Sequence, residues 1–173
     1  PGCPACDGKQ VSVTNSLQSL FPQVAQGWHP IKNGSFTPAD VVAGSNSKVW
    51  WICPDGPDHE WRAAIGARTY AGRGCPFCFH NRVSVTNSLQ TLFPELASEW
   101  HATKNGKLTP ADVLSKSQRK VWWYCDKGPD HEWRAVIQSR TSKRLHGCPS
   151  CAGRQVSVTN SLQSLFPQVA QEW

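Results

Sequence analysis

Three thiols and one imidazole occur together twice in this sequence, which is the ligand chemistry of a tetrahedral metal site. One set lies within residues 48–78 and the other within residues 120–151. The ligands are Cys53, His59, Cys75 and Cys78 in the first set, and Cys125, His131, Cys148 and Cys151 in the second. Four protein ligands are typical of structural zinc, because catalytic zinc keeps one position open. We therefore predict two closed structural Zn²⁺ sites.

A third Cys-Pro-x-Cys turn runs from Cys3 to Cys6, but the Cys and His that accompany the other turns do not precede it. These two residues predict half a zinc site. Disulfides are an alternative for eight cysteines, although three Cys and one His in each unit would leave a thiol over. Iron–sulfur ligation is a second alternative. Zinc thiolates favour an intracellular, reducing compartment. The sequence does not distinguish between the cytoplasm, the nucleus and the interior of an organelle.

The whole sequence is an internal repeat with successive spacings of 72 and 73 residues. An eight-residue motif, Val-Ser-Val-Thr-Asn-Ser-Leu-Gln, and the Cys-Pro-x-Cys turn each occur three times, beginning at Val11, Val83 and Val156, and at Cys3, Cys75 and Cys148. A fixed period of this kind indicates a tandem array. We predict the tail of one repeat (1–10), two full repeats (11–82 and 83–155) and the head of another (156–173), as a section of a longer array.

The elements that must position the ligands are short. Residues 11–14 alternate apolar and polar side chains and predict a short strand or an extended lead. A helix is expected from Ser16 to Phe21, ended by Pro22, and a brief helix start at Thr37 and Pro38. Strands at 48–53 and 60–67 would form a hairpin with Cys53 and His59 at its tip, followed by a loop at 68–74. The predicted fold class is a small α+β repeat, in which short helices and a β-hairpin are closed by one Cys3His zinc site.

The candidate core of each unit is aromatic and aliphatic. The predicted core residues of the first unit are Leu17, Leu20, Phe21, Val24 and Trp28. Trp50 and Trp51 should point to opposite faces of a strand, so at most one belongs in the core. His29 and His101 recur after a Trp and are interpreted as packed structural residues. His80 and His146 do not recur and are interpreted as surface residues.

The ordered motifs Phe-Pro, Trp-His, Lys-Asn-Gly, Thr-Pro-Ala-Asp-Val, Val-Trp-Trp, His-Glu-Trp and Cys-Pro-x-Cys recur at fitting distances over nearly the whole chain. This pattern resembles a family described as probable zinc-ribbon domains, also discussed as treble-clef-like fingers. The resemblance implies a zinc role for the eight ligands named above. Members of that family often occur beside nuclease-type domains, so the resemblance favours a function that involves nucleic acid.

The charge balance permits a polyanionic partner without requiring one. The formal net charge is +6, and two Cys3His zinc sites, each carrying about −1, would reduce it to about +4. Nucleic-acid binding, with DNA favoured, is the first hypothesis, and its candidate contacts are Lys48, Arg62, Arg68, Lys120, Arg134 and Arg140. A protein-interaction scaffold is the alternative. The sequence has no recurring nucleophile with its base and no glycine-rich phosphate loop, so we expect neither an enzyme nor a small-molecule substrate. It also has no apolar run of membrane-spanning length.

Overall fold

The chain folds into two compact units, Pro1–Ser84 and Val85–Trp173. A computed structural model describes residues 3–5, 7–142 and 147–173. Each unit contains one of the two Cys3His sets and has the same order of elements. No helix within the described ranges has both the length and the apolar character required to cross a bilayer.

The first unit is built from very short elements around one hairpin. In chain order they are α1 (Leu17–Leu20), α2 (Pro22–Ala25), a 3₁₀ turn (Pro38–Asp40), β1 (Lys48–Ile52), β2 (Glu60–Ala64) and α3 (Ile65–Thr69). The N-cap Ser16 accepts a hydrogen bond from the Ser19 backbone N–H, which defines the start of α1. Pro22 occupies the first position of α2, where its missing N–H costs nothing.

The second unit repeats this order and adds two helices at its end. Its elements are α4 (Leu89–Leu92), α5 (Pro94–Ser98), a 3₁₀ turn (Pro110–Asp112), β3 (Lys120–Tyr124), β4 (Glu132–Val136), α6 (Ile137–Thr141), α7 (Leu162–Leu165) and α8 (Pro167–Ala170). Both 3₁₀ turns begin with a capping box, in Thr37 with Asp40 and in Thr109 with Asp112. Hydrogen bonds from Thr37 and Thr109 hold the pKa of these two aspartates below the usual value.

Antiparallel pairing places one tryptophan of each strand in the core. Trp51 faces Trp61 across the first hairpin, and Trp123 faces Trp133 across the second. Trp51 has no exposed surface, and its indole N–H donates to the Ala63 carbonyl oxygen at 3.1 Å. The hydrogen bond matters because a buried indole N–H without an acceptor would be destabilising.

The prediction for the Trp50–Trp51 pair is confirmed, since Trp51 is buried and Trp50 is only half-buried on the opposite face. Of the predicted core residues, Leu17 is fully buried, and Phe21, Val24 and Trp28 pack against the core. Leu20 was wrongly assigned, because 48% of its surface is exposed. The chain leaves helical geometry at Phe21, so there is no continuous helical face that would carry Leu20 inward.

One secondary-structure prediction is wrong, and another is settled between its two alternatives. Residues 11–14 form no strand and lead into a turn at residues 13–15, where the Asn15 side chain accepts from the Ser12 N–H at 2.7 Å. The second strand ends at Ala64, which faces Lys48, the first residue of β1. The Ile65 and Gly66 N–H groups still donate to the Ser47 and Ser45 carbonyl oxygens, at 3.2 and 2.8 Å, but residues 65–69 form α3 instead of a strand end and a loop.

Candidate metal centre

The hairpin tip positions the first two ligands of each site. The Cys53 N–H donates to the His59 carbonyl oxygen at 3.0 Å, which closes the tip and brings both side chains to one side. Gly56 lies under the imidazole, and a Cβ atom there would be 2.5 Å from His59 Nε2. Gly128 has the same position under His131. A glycine is therefore required at this place in both tips, because any side chain would displace the ligand.

The Cys-Pro-x-Cys turn supplies the other two ligands. In the first unit the Phe79 N–H donates to the Cys75 carbonyl oxygen at 3.1 Å, and the Asn81 N–H donates to that of Pro76 at 2.8 Å. The same turn at residues 148–154 has matching hydrogen bonds of 3.1 and 2.8 Å. These backbone bonds fix both thiols of a turn on the side that faces the hairpin tip.

The four ligand atoms converge at the spacing of a tetrahedral zinc shell. All four lie within 4.8 Å of one another in each site. Cys53 Sγ is 3.7 Å from Cys78 Sγ, and the corresponding sulfurs of Cys125 and Cys151 are also 3.7 Å apart. Tetrahedral zinc with Zn–S bonds of about 2.3 Å separates two sulfurs by about 3.8 Å. The donor set and its spacing thus fit Zn²⁺ in both units.

The metal-facing atom of each histidine is Nδ1. His59 Nδ1 is 3.7 Å from Cys75 Sγ and 3.6 Å from Cys78 Sγ. His131 Nδ1 is 3.6 and 3.4 Å from the two matching sulfurs. Burial raises the pKa of the Cys78 thiol and brings that of Cys151 to about 11. These thiols therefore hold protons when no metal is bound, and zinc binding must release them.

Serine hydroxyls that follow each Cys-Pro-x-Cys turn contact the other side of the histidines. His59 Nε2 is 3.2 Å from Ser84 Oγ, and both residues are buried. His131 Nε2 is 3.1 Å from Ser157 Oγ and 2.7 Å from Thr159 Oγ1. If Nδ1 binds the metal, Nε2 would carry the proton and would donate a hydrogen bond to a hydroxyl oxygen. Such a bond fixes the ring orientation and its tautomer.

An arginine lies between two core tryptophans beside each site. The Arg140 guanidinium is 4.6 Å from the Trp123 ring centre and 5.0 Å from that of Trp133, and it donates to Glu99 at 2.7 Å. Only 4% of the Arg140 side chain is exposed. Arg68 is sandwiched likewise, 5.0 Å from Trp51 and 5.1 Å from Trp61. Burial lowers the pKa of Arg68, while the nearby thiols act in the opposite direction.

The two recurring histidines outside the metal sites are structural, as expected. His29 is 5% exposed, and its Nε2 is 3.2 Å from Glu60 Oε1. Lys32 also bonds to Glu60. The bond from Lys32, and to a smaller extent the bond from His29, holds the pKa of Glu60 below its usual value. His101, Lys104 and Glu132 repeat the arrangement. His80 is exposed, as predicted, and His146 lies outside the described residues.

The candidate nucleic-acid contacts do not share one environment. Lys48, Arg62, Lys120 and Arg134 are exposed on the hairpins, whereas Arg68 is half-buried and Arg140 is buried between indole rings. The sequence could not separate these groups, because all six residues recur with the same period. It also did not single out Ser84 or Ser157, although the recurrence of Val-Ser-Val-Thr-Asn after each Cys-Pro-x-Cys turn was a signal.

The half site predicted at the first Cys-Pro-x-Cys turn is not supported. Within residues 3–5, 7–142 and 147–173, three or more ligating side chains come together only at the two Cys3His sets. Cys3 is exposed, and Cys6 lies outside the described residues.

Comparison with known proteins identifies the same ligand-bearing stretches. No curated protein sequence matches the chain. The model of a family described as a probable treble clef zinc finger domain matches residues 24–81 and 96–154, once in each unit. The matches contain both complete ligand sets and extend over more than half of the 173 residues. The chain therefore belongs to the probable treble clef zinc finger domain family, with two tandem copies of the domain.

Proposed function

We propose that this chain is a structural zinc-binding tandem module that binds nucleic acid, with DNA favoured, through the outer face of each hairpin. The observation that carries the proposal is a half-buried tryptophan beside cations on that face. Trp50 has Lys32 Nζ 4.7 Å from its ring centre and lies opposite Arg62 in the strand register. Trp122 has Lys104 at 4.8 Å and Arg134 at 5.8 Å. Ring faces combined with cations suit bases and phosphates.

Four of the six candidate contacts carry this proposal. The side chains of Arg62 and Arg134 are exposed and lie next to the outer tryptophans, and Lys48 and Lys120 begin the first strand of each hairpin. We assign Arg68 and Arg140 to the core instead, because their guanidinium groups are already held between two indole rings. Zinc acts in this proposal as a clamp that holds the face in place.

The test is salt-dependent binding to fluorescently labelled oligonucleotides. The full chain with zinc is titrated against single-stranded DNA, duplex DNA and RNA by anisotropy at several salt concentrations. Four phosphate contacts to a single strand predict a slope of log K against log salt of about −3. Replacing Arg62 and Arg134 by Gln should reduce the slope by about 1.4. The control replaces Lys9 and Lys116, two exposed cations outside the hairpins, by Gln. Absence of binding to all three nucleic acids at low salt would refute the proposal.

A protein-interaction scaffold is the second candidate. The observation that favours it is exposed apolar surface in the first unit, where Ile31 is 79% and Phe36 64% exposed. A protein partner would bind with little dependence on salt, which separates this candidate from the first. In either case we propose a non-catalytic role in a reducing compartment, because each ligand set uses all four positions of a tetrahedral metal.

A further inference from the structure

A groove lies in the first unit between the hairpin and the Cys-Pro-x-Cys turn. We call it the turn groove. It has a volume of about 570 Å³, and the residues that matter for its chemistry are Trp61, Arg62, Arg73, Gly74, Phe79 and Arg82. All of them belong to the first unit. Of the six residues predicted to contact nucleic acid, Arg62 alone lines the turn groove.

The turn groove is cationic. Arg62, Arg73 and Arg82 are exposed, and no acidic residue is among the described residues that line the groove. Arg82 also lies 5.1 Å from the centre of the buried Phe77 ring, which orients its side chain. Three arginines around one concave surface are suited to phosphate oxygens, because the planar guanidinium binds two oxygens at once.

An exposed aromatic ring stands at the edge of the turn groove. Phe79 is 67% exposed. One side of its ring lies on Gly74, where an added Cβ atom would be only 2.4 Å from Phe79 Cε2. The glycine thus leaves room for the ring and supports it from one side. A ring that is held on one side and open on the other is a platform on which a base can stack.

The second unit has a matching groove, but none of its described lining residues is an exposed ring. The groove, of about 650 Å³, is lined by Trp122, Trp133, Arg134 and Arg154 but also by Glu132. Ala152 stands in the place of Phe79, and none of the described residues comes within 4 Å of an added Cβ at Gly147, the counterpart of Gly74. Among the described residues, the two copies therefore differ at two groups of the proposed site, because Ala152 replaces Phe79 and Gln155 replaces Arg82.

Arg62 joins the turn groove to the outer face of the hairpin. It also lines a neighbouring groove of about 460 Å³ together with Phe36, Lys48 and Trp50. Aromatic rings therefore stand on both sides of one exposed guanidinium. This alternation of ring, cation and ring matches the alternation of base, phosphate and base along an unpaired strand. Bases inside a duplex stack on each other and cannot reach such separate rings.

We propose that the first unit binds single-stranded nucleic acid across these two grooves, with one base on Phe79 and phosphates on Arg62, Arg73 and Arg82. The proposal rests on the nucleic-acid function proposed above and makes it more specific. The first unit recognises the unpaired strand, and the second unit contributes Arg134 and the half-buried Trp122 without a counterpart of the exposed Phe79 ring.

The test compares a labelled twelve-residue oligothymidylate with a duplex of the same length, using the zinc-loaded full chain. Phe79→Ala should weaken single-strand binding about tenfold, because base stacking on an aromatic side chain contributes this much or more. Phe79→Tyr keeps the ring and should bind as wild type. The matched gain-of-function variant is Ala152→Phe, which should strengthen single-strand binding. With Arg73 and Arg82 as two further phosphate contacts, the single-strand salt slope should be about −4 instead of about −3, and replacing both by Gln should return it to about −3.

Each outcome has a separate meaning. Wild-type affinity of Phe79→Ala for the oligothymidylate would overturn this inference while leaving the nucleic-acid function intact. Tighter binding to the duplex than to the single strand would do the same. If the wild-type chain binds no oligonucleotide but binds an acidic peptide, both proposals fail. Circular dichroism and two bound zinc ions establish that Phe79→Ala is folded.

Discussion

The serine hydroxyl behind each zinc-ligand histidine can be tested by removing it. Ser84→Ala deletes the Oγ atom that lies 3.2 Å from His59 Nε2. Both side chains are almost fully buried, at 4% and 2% exposure. Losing the outer partner of a metal-bound histidine typically weakens metal affinity by about 10- to 100-fold. That range equals about 1.4 to 2.7 kcal/mol, and it agrees with the about 1–3 kcal/mol expected for a lost buried hydrogen bond.

The second unit makes the prediction graded. His131 Nε2 has two hydroxyl partners, Ser157 at 3.1 Å and Thr159 at 2.7 Å. Ser157→Ala alone should therefore cost less than the loss of both hydroxyls, because Thr159 continues to accept the hydrogen bond. The double variant Ser157→Ala with Thr159→Val should reach the full 10- to 100-fold loss.

The assay is competition for zinc with a chromophoric chelator at neutral pH under reducing conditions. Wild type should release two zinc equivalents at similar chelator concentrations, and Ser84→Ala should release one of them much earlier. Ser12→Ala is the matched control, since Ser12 occupies the same motif position and its Oγ contacts Thr14 Oγ1 at 2.9 Å. Wild-type retention of both zinc ions by Ser84→Ala would refute a role of the hydroxyl in positioning the histidine.

Four further predictions follow from particular contacts. Arg140→Met should lower the free energy of unfolding by about 2–3 kcal/mol, whereas the same change at the exposed Arg134 should cost less than about 1 kcal/mol; urea unfolding of the zinc-loaded chain compares them. His80 has a positive φ of 54° where the other two turns have Gly8 and Gly153, so Gly153→His should destabilise by about 1 kcal/mol and His80→Gly should not, by the same measurement. Removal of zinc by a chelator should abolish the near-ultraviolet circular dichroism of the core tryptophans, because these small cores depend on the metal. The pKa of the Asp112 carboxyl should lie below that of an ordinary aspartate when measured by NMR, because Thr109 bonds to its charged form. The stabilising bond is present above the usual aspartate pKa and is lost as the pH falls through the lowered pKa, and Thr109→Val should return the pKa towards its usual value.

The metal site was predictable because its information is local. Cys-Pro-x-Cys and a hairpin tip each fix two ligands within a few residues, and repetition of the whole pattern excludes coincidence. The position of Trp51 was equally accessible, since successive side chains of a strand must alternate. The short strands and the loop around Pro54 could also be placed from the sequence, because their signals are local. The end of the second strand could not. That end lies at Ala64, where the chain turns into α3, and the hydrogen bonds from Ile65 and Gly66 go to Ser47 and Ser45 of the segment before β1.

The functional face was less predictable because burial depends on distant partners. Arg134 and Arg140 recur with one period and have the same residue type, yet one is exposed and the other is enclosed by two indoles and Glu99, which lies 41 positions away. Ser84 and His59 are 25 positions apart and meet only when the segment after the Cys-Pro-x-Cys turn folds back onto the imidazole.

The sequence by itself determined the repeat, the two Cys3His sets and the alternation of the paired tryptophans, because each of these depends on spacing along the chain. The tertiary structure decided which arginines belong to the core and which to the surface. It also decided which hydroxyls complete the metal site, and that Phe79 stands on Gly74 as an open ring. These features arise from contacts between separate segments, and their distances are set by packing rather than by sequence separation.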